Sequence, residues 1–243
     1  MLLIDRGNTR LKWQLWDQGL PLKTGVALQE EPLVHVFKDL NSDDVSNIYV
    51  SSVVGHVFEQ ELKDWAAQSG FSVPVFVCSV ESICGVTNGY DKPRQLGVDR
   101  WLAMIAAFKQ YSGLLCVVDS GTALTIDFIS SEGQHLGGFI VPGQKLMEQS
   151  LLANTHKISV TESLESSVFG TNTTQAVSLG TWGVLGAFIN HKVSEVNVAF
   201  AEPVKVILTG GAVEPLVSLL QVDHCYQKDL VLKGLALVVG EKE

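Results

Sequence analysis

The chain has 243 residues, 17 Lys and Arg against 26 Asp and Glu, a formal net charge of -9, and 46% apolar residues. It is too apolar to be disordered, and long enough to bury a core without disulfides or a structural metal. The acidic balance disfavours nucleic acid and anionic membrane as partners, because both attract clustered Lys and Arg.

No stretch approaches the roughly 20 uninterrupted apolar residues of a membrane span. Asp5 interrupts the N-terminal apolar run too early for a signal peptide. The cysteines Cys78, Cys84, Cys116 and Cys225 form no CxxC pair, so they read as reduced core residues of a cytoplasmic protein. The sequon at Asn172-Thr173-Thr174 is then idle for glycosylation.

In chain order, Leu2-Leu3-Ile4-Asp5 reads as an apolar strand ending in a carboxylate. A turn of small residues follows, then a second strand continuing to Asp17. Residues 47–53 form a strand, and Val57, Phe58, Leu62 and Trp65 recur at helical spacing until Gly70. Residues 73–80 read as a strand despite Pro74, and 96–111 as a helix. Cys116-Val117-Val118-Asp119 then repeats the opening pattern, with the turn Ser120-Gly121-Thr122 and a strand to Phe128. A strand over 135–141 precedes a helix from Gly143 to about Thr155. A long helix follows Thr173, and Gly180, Gly183 and Gly186 within it imply a close backbone approach, because each costs about 1 kcal/mol relative to Ala. Residues 204–209 form a buried strand ending in Gly210-Gly211, and 231–239 form a last helix.

The repeat of strand, Asp, turn and strand about half a chain apart indicates duplication. Strands interleaved with helices in two similar halves give an α/β fold of two domains with a cleft between them. The expected division is 1–113 and 114–243.

Each Asp turn offers a carboxylate, a glycine that admits close approach, and amides and hydroxyls suited to phosphate oxygens. Like charges repel, so Asp5 would act on phosphate through Mg²⁺ or its waters. A lone hairpin of this kind reads more readily as a structural turn; two of them, repeated across the halves, reverse that and read as a nucleotide site. Thr209-Gly210-Gly211 follows a buried strand, where a nucleoside or an α-phosphate could rest on backbone, although an ordinary strand-to-helix turn has the same sequence. The Gly137–Lys145 stretch only imitates a Walker A loop, since Gln144 separates Gly143 from Lys145 and no Ser or Thr follows. Gly97-Val98-Asp99-Arg100 opens an amphipathic helix whose free amides favour anions. Arg100 can pair with a carboxylate and Asp99 can take a proton from a hydroxyl; the alternative is a plain helix start with Arg100 in solvent. The histidines form no HxH or HExxH group, so no zinc site is expected. Trp13 and Trp16 read as strand packing, Trp65, Trp101 and Trp182 as helix packing, and His191 with Glu195 as a solvated helical pair.

Asp5-Arg6-Gly7-Asn8-Thr9, Asp119-Ser120-Gly121-Thr122-Ala123 and Thr209-Gly210-Gly211 resemble the phosphate and adenosine signatures of the acetate and sugar kinase/Hsp70/actin superfamily. Within it, the chain resembles the type III pantothenate kinases along nearly its whole length. The specific features are Tyr90 and Pro93 before Leu96-Gly97-Val98-Asp99-Arg100, Gly137-Gly138 with Pro142-Gly143, and Gly170-Thr171-Asn172-Thr173. Arg6 departs from the family pattern, which usually has a small or apolar residue there.

The resemblance implies duplicated actin-like (ribonuclease H-like) domains and ATP-dependent phosphorylation of pantothenate to 4′-phosphopantothenate, the first step toward coenzyme A. It makes Asp99 the general base and places Tyr90, Gly97, Val98, Arg100 and Thr173 around pantothenate. It assigns Mg-ATP to Asp5, Arg6, Gly7, Asn8, Thr9, Arg10, Leu11 and Lys12, with Gly121, Thr122, Gly210 and Gly211. Asp5 would hold Mg²⁺ through water, and a monovalent cation (K⁺ or NH₄⁺) would lie near Asp119. A homodimer is implied, with no nucleic-acid or membrane partner. Another small-molecule kinase of the superfamily, or a non-catalytic nucleotide-binding regulator of the same fold, are the competing readings.

Overall fold

The computed structural model describes residues 1–17, 19–155 and 167–241. Its contacts divide the chain into two compact units, one of Met1–Gln110 with the C-terminal residues from Asp229 onward, the other of Tyr111–Lys228. The first unit runs β1 (Leu2–Arg6), β2 (Arg10–Asp17), β3 (Leu20–Leu28), α1 (Leu33–Val36), β4 (Ile48–Ser52), α2 (His56–Gln68) and β5 (Val75–Phe76). It continues through a small hairpin, β6 (Ser82–Ile83) and β7 (Val86–Thr87), into α3 (Val98–Gln110). The second unit holds β8 (Leu115–Ser120), β9 (Ala123–Ile129), β10 (His135–Pro142), α4 (Gln144–Asn154), α5 (Thr173–Phe200), β11 (Lys205–Thr209), α6 (Glu214–Val217) and β12 (His224–Tyr226). Helix α7 (Leu230–Gly240) belongs again to the first unit.

The two sheets have one topology, β3-β2-β1-β4-β5 and β10-β9-β8-β11-β12. In each, two hairpins give antiparallel pairs and the remaining strands add in parallel. The duplication read from the two Asp turns is therefore a duplication of whole sheets, with β1 and β8 as the central strands. Both are apolar on both faces (Leu2, Leu3 and Ile4; Cys116, Val117 and Val118) because helices cover both sides.

In the first unit, Trp13, Phe37, Trp65 and Phe71 form a chain of ring contacts at 4.6 to 5.9 Å, anchored on Leu2, Ile4 and Leu62. In the second, Leu185, Ile189 and Val193 of α5 bury against Val118, Ile126 and Val206. Helix α3 is buried on nearly all sides, from Trp101 to Ala107. It meets α7 at Gly234, where a Cβ would collide with the Leu102 carbonyl. That crossing is why the last helix packs with the first unit, whereas the expected split at residue 113 had grouped it with the second half.

Several local expectations change. Strand β3 has no counterpart in the sequence reading: it is an exposed edge strand, and its Gly25 leaves room for the Trp13 indole. The strand expected over 73–80 shrinks to Val75–Phe76. One further bond, from Val77 N–H to Val50 O, continues the ladder, and Pro74 before it has no donor to offer. Of the three glycines in α5, only Gly186 meets a neighbour, the Leu219 side chain at 2.8 Å; Gly180 and Gly183 face open space within the described residues. Only Cys116 of the four cysteines is buried; Cys78 is exposed and Cys84 and Cys225 lie between. Burial pushes the Cys116 thiol well above its ordinary pKa, which keeps it a neutral core residue. Burial and the Glu241 carboxylate raise that of Cys84 to about 12. No described helix is long and apolar enough to cross a membrane.

Candidate active site

Each central strand delivers its carboxylate at its carboxyl end. In the first unit Asp5 pairs across the hairpin with Lys12 and across the parallel ladder with Ser51, whose hydroxyl donates to Asp5 Oδ1 at 3.3 Å. The turn closes through Gly7 N–H on the Arg10 carbonyl, 3.1 Å, leaving Asn8, Thr9 and Arg10 exposed. Leu11 is in the core, so only its backbone is available to a ligand. The Lys12 ammonium lies 3.5 Å from Asp229. Asp229 sits in a left-handed conformation, φ 57°, at the start of α7 and does not cap that helix. Arg6 turns inward, 5% exposed, with its guanidinium 5.2 Å from the Phe58 ring centroid.

The second turn is the same device made shorter: Gly121 N–H bonds the Ala123 carbonyl at 3.0 Å. Two other turns of the same unit lock it. Ser120 donates its hydroxyl to the Ala212 carbonyl at 2.8 Å, and Ala212 N–H returns a bond to the Ser120 carbonyl at 3.0 Å. Gly210, at φ 103°, lets the chain pass so close that a Cβ there would lie 2.5 Å from Asp119 Oδ1 and against the Ser120 carbonyl. Gly143 N–H bonds the Thr122 carbonyl at 3.0 Å, and a side chain at Gly143 would strike the backbone of Gly121 and Thr122. The stretch that imitates a Walker A loop is thus strand to Pro142 and helix from Gln144, joined by a glycine that braces the Asp119 turn.

The third constellation opens α3. Asp99 Oδ1 accepts the Arg100 N–H at 2.8 Å, one of the donors a helix start leaves unpaired. Arg100 is 6% exposed; its Nη1 donates to Tyr90 Oη at 2.9 Å, and its guanidinium stands 5.8 Å from the Tyr90 ring centroid. Tyr90, Asp99 and Arg100 are therefore brought together, and Arg100 is not the solvated helix residue of the plain reading. Two buried residues that sequence reasoning missed fix the loop. Asn88 donates to the Val80 and Pro93 carbonyls at 3.2 Å and accepts Tyr90 N–H at 3.0 Å, while Ser79 donates to the Leu96 carbonyl at 2.8 Å. The Asn88-Gly89 pair, a common turn signal, was the available clue. A Cβ on Gly97 would sit 2.6 Å from Asp99 Oδ1. Gly97→Ala should therefore leave the fold intact and displace the carboxylate, lowering kcat about tenfold; steady-state kinetics beside a melting curve separates the two effects.

Thr173, the first residue of α5, lies in the other unit. Asn172 caps that helix by accepting Gln175 N–H at 2.9 Å. Thr173 lines an open groove of about 1040 Å³ between α4 and α5, with Leu146, Leu151, Gly180 and Val184. Elsewhere, His191 and Glu195 are the exposed helical pair expected, 3.5 Å apart. Among the described residues no group of three or more His, Cys, Asp or Glu could cage a metal.

Two sheets of one topology, each ending its central strand in an Asp turn, define an actin-like fold. A solved structure from Campylobacter jejuni, described as a conserved putative Baf family transcriptional activator, superposes with TM-score 0.64 at 21% identity, covering 100% of this chain and 98% of that one. A putative 2-dehydro-3-deoxygalactonokinase from Sinorhizobium meliloti does so with TM-score 0.60 at 10% identity, covering 99% and 96%. At these identities the likeness concerns the fold alone. The type III pantothenate kinase family profile matches residues 1–195. The type III pantothenate kinase of Nitrosococcus oceani is 33% identical over 252 residues, covering 99% of this chain and 94% of the relative. The chain belongs to the type III pantothenate kinase family, and with it to the phosphotransferases.

Proposed function

We propose that this protein transfers the γ-phosphate of ATP to the primary hydroxyl of pantothenate, giving 4′-phosphopantothenate in the cytoplasm as the first step of coenzyme A synthesis. The observation that carries this reading is the cluster at the start of α3, where Asp99 stands beside a buried Arg100 held by Tyr90. Pantothenate has a carboxylate at one end and the accepting hydroxyl at the other. Arg100, with Tyr90, Gly97, Val98 and Thr173, recognises the acid, and Asp99 takes the proton from the hydroxyl as the new P–O bond forms and the bond to ADP breaks.

Phosphoryl transfer is mostly positioning and charge neutralisation. The Asn8 and Thr9 amides, Arg10 and Lys12 hold phosphates in the first unit, with Gly7 admitting their close approach, and Gly121 and Thr122 hold them in the second. Gly210 and Gly211 receive the adenosine on bare backbone. The donor set fits Mg²⁺ that arrives with the nucleotide: Asp5 offers one carboxylate, no cage of three or more ligating side chains occurs among the described residues, and such an ion keeps waters and phosphate oxygens as ligands. Bound there, Mg²⁺ would neutralise the charge on the phosphates. Asp119, with the carbonyls of its turn close by, suits a monovalent cation such as K⁺ or NH₄⁺. Exposed Val184, Ile140 and Leu151, with the bare faces of Gly180 and Gly183, support a homodimer.

The test is transfer of phosphate from ATP to pantothenate by purified protein with Mg²⁺ and K⁺, alongside other hydroxyl acceptors, with the mass of the active species measured. Phosphopantothenate formation by a dimer is the expected result. Preference for another acceptor would make it a different kinase of the superfamily, and ATP binding without transfer would make it a nucleotide-binding accessory protein.

A further inference from the structure

The first turn carries a cation, Arg6, immediately after its carboxylate. Arg6 follows Asp5 on β1, and successive side chains of a strand point to opposite faces, so the two cannot serve one ligand in the same way. The Arg6 side chain goes inward, to 5% exposure, and lies on the Phe58 ring of α2 at 5.2 Å. Its Nη1 donates to the Gly7 carbonyl at 3.0 Å. Among the described residues no carboxylate lies within ion-pair distance of it; Glu61 acts on it only from farther away. Burial holds its pKa below the ordinary arginine value.

A buried guanidinium without a paired anion is costly, and it survives where something compensates. An aromatic face supplies part of that. The remainder lies one residue away, in a turn whose outward amides suit phosphate. The Gly7 peptide is held at both ends, its N–H on the Arg10 carbonyl and its carbonyl on Arg6. A carbonyl pulled inward fixes the plane of the Gly7–Asn8 peptide, and in a trans peptide the Asn8 N–H then points the opposite way within that plane.

We propose that Arg6 is a positioning residue for the nucleotide: from beneath the first turn it braces the Gly7 carbonyl and places a fixed positive charge under the triphosphate. This rests on the reading of that turn as a phosphate site, though not on pantothenate as the acceptor.

Direct titration of the protein with MgATP tests it, together with KM values for both substrates. Arg6→Met keeps length and loses both charge and fork; it should weaken MgATP binding about tenfold, with the loss appearing in KM for MgATP and not in KM for pantothenate. Arg6→Lys retains the charge and should recover part of that loss, and Phe58→Leu, which removes the platform, should shift MgATP affinity the same way by about threefold. MgATP affinity within twofold of wild type in both Arg6→Met and Phe58→Leu would overturn the proposal, as would an equal rise in KM for both substrates. Should Arg6→Met not fold, Arg6→Lys and Phe58→Leu still decide: unchanged affinity in both refutes the role. Wild-type protein that binds MgATP but leaves pantothenate untouched would sink the kinase reading while this one stands.

Discussion

Asp99→Asn should reduce kcat for pantothenate phosphorylation by about 10²–10⁴-fold, the range that removal of a positioned general base produces. In barrier height that is about 2.7–5.5 kcal/mol. Asparagine has nearly the same shape and keeps an oxygen for the Arg100 N–H, which Asp99 now holds at 2.8 Å. The start of α3 and the Arg100–Tyr90 contact should therefore survive, and the melting temperature should stay within a degree or two. What disappears is the capacity to accept the proton of the attacking hydroxyl. The transition state of phosphoryl transfer is loose, so the hydroxyl loses its proton late, and the residual rate measures what positioning alone achieves. A variant with full activity would remove the base role and leave Asp99 as a helix-start residue.

Gly210→Ala should lower stability by about 2–6 kcal/mol and weaken MgATP binding together. Two costs add. The backbone is at φ 103°, where a side chain costs about 1–3 kcal/mol. The new methyl would also press on the Ser120 carbonyl and on Asp119 Oδ1, and overpacking costs about 1–3 kcal/mol more. The obstacles are backbone and a carboxylate at the centre of the second turn, so relief requires β11 to move from β8. That movement breaks the paired bonds between Ser120 and Ala212. Calorimetric unfolding and nucleotide titration on one sample measure both effects; an unchanged melting temperature would show that the turn can yield without cost.

The sequence disclosed most where chemistry demands particular residues in a fixed local order. The Asp5 and Asp119 turns were legible because each strand ends in a carboxylate with a glycine two residues on, and their repetition exposed the duplication. The start of α3 was legible because Gly97, Asp99 and Arg100 lie within one turn of helix. The edge strand β3 was not, since most of its residues are exposed and carry no clear alternation. Nor were Asn88 and Ser79, whose value lies in carbonyls that become their neighbours only after the loop closes.

Net charge again marks the division. The count of -9 says that overall charge does not draw anions to this chain, so any anionic substrate must be held locally. Sequence alone determined that, together with the two-copy α/β plan, the family and the catalytic candidates, because each depends on short-range order along the chain. Tertiary structure decided which cations are available and how they are held. It buried Arg6 on Phe58, tied Lys12 to Asp229 across more than two hundred residues, and bonded Arg100 to the Tyr90 hydroxyl. It also returned α7 to the first unit, through a glycine that admits the backbone of α3. These outcomes depend on close packing between segments remote in sequence, whose meeting points no local pattern of residues records.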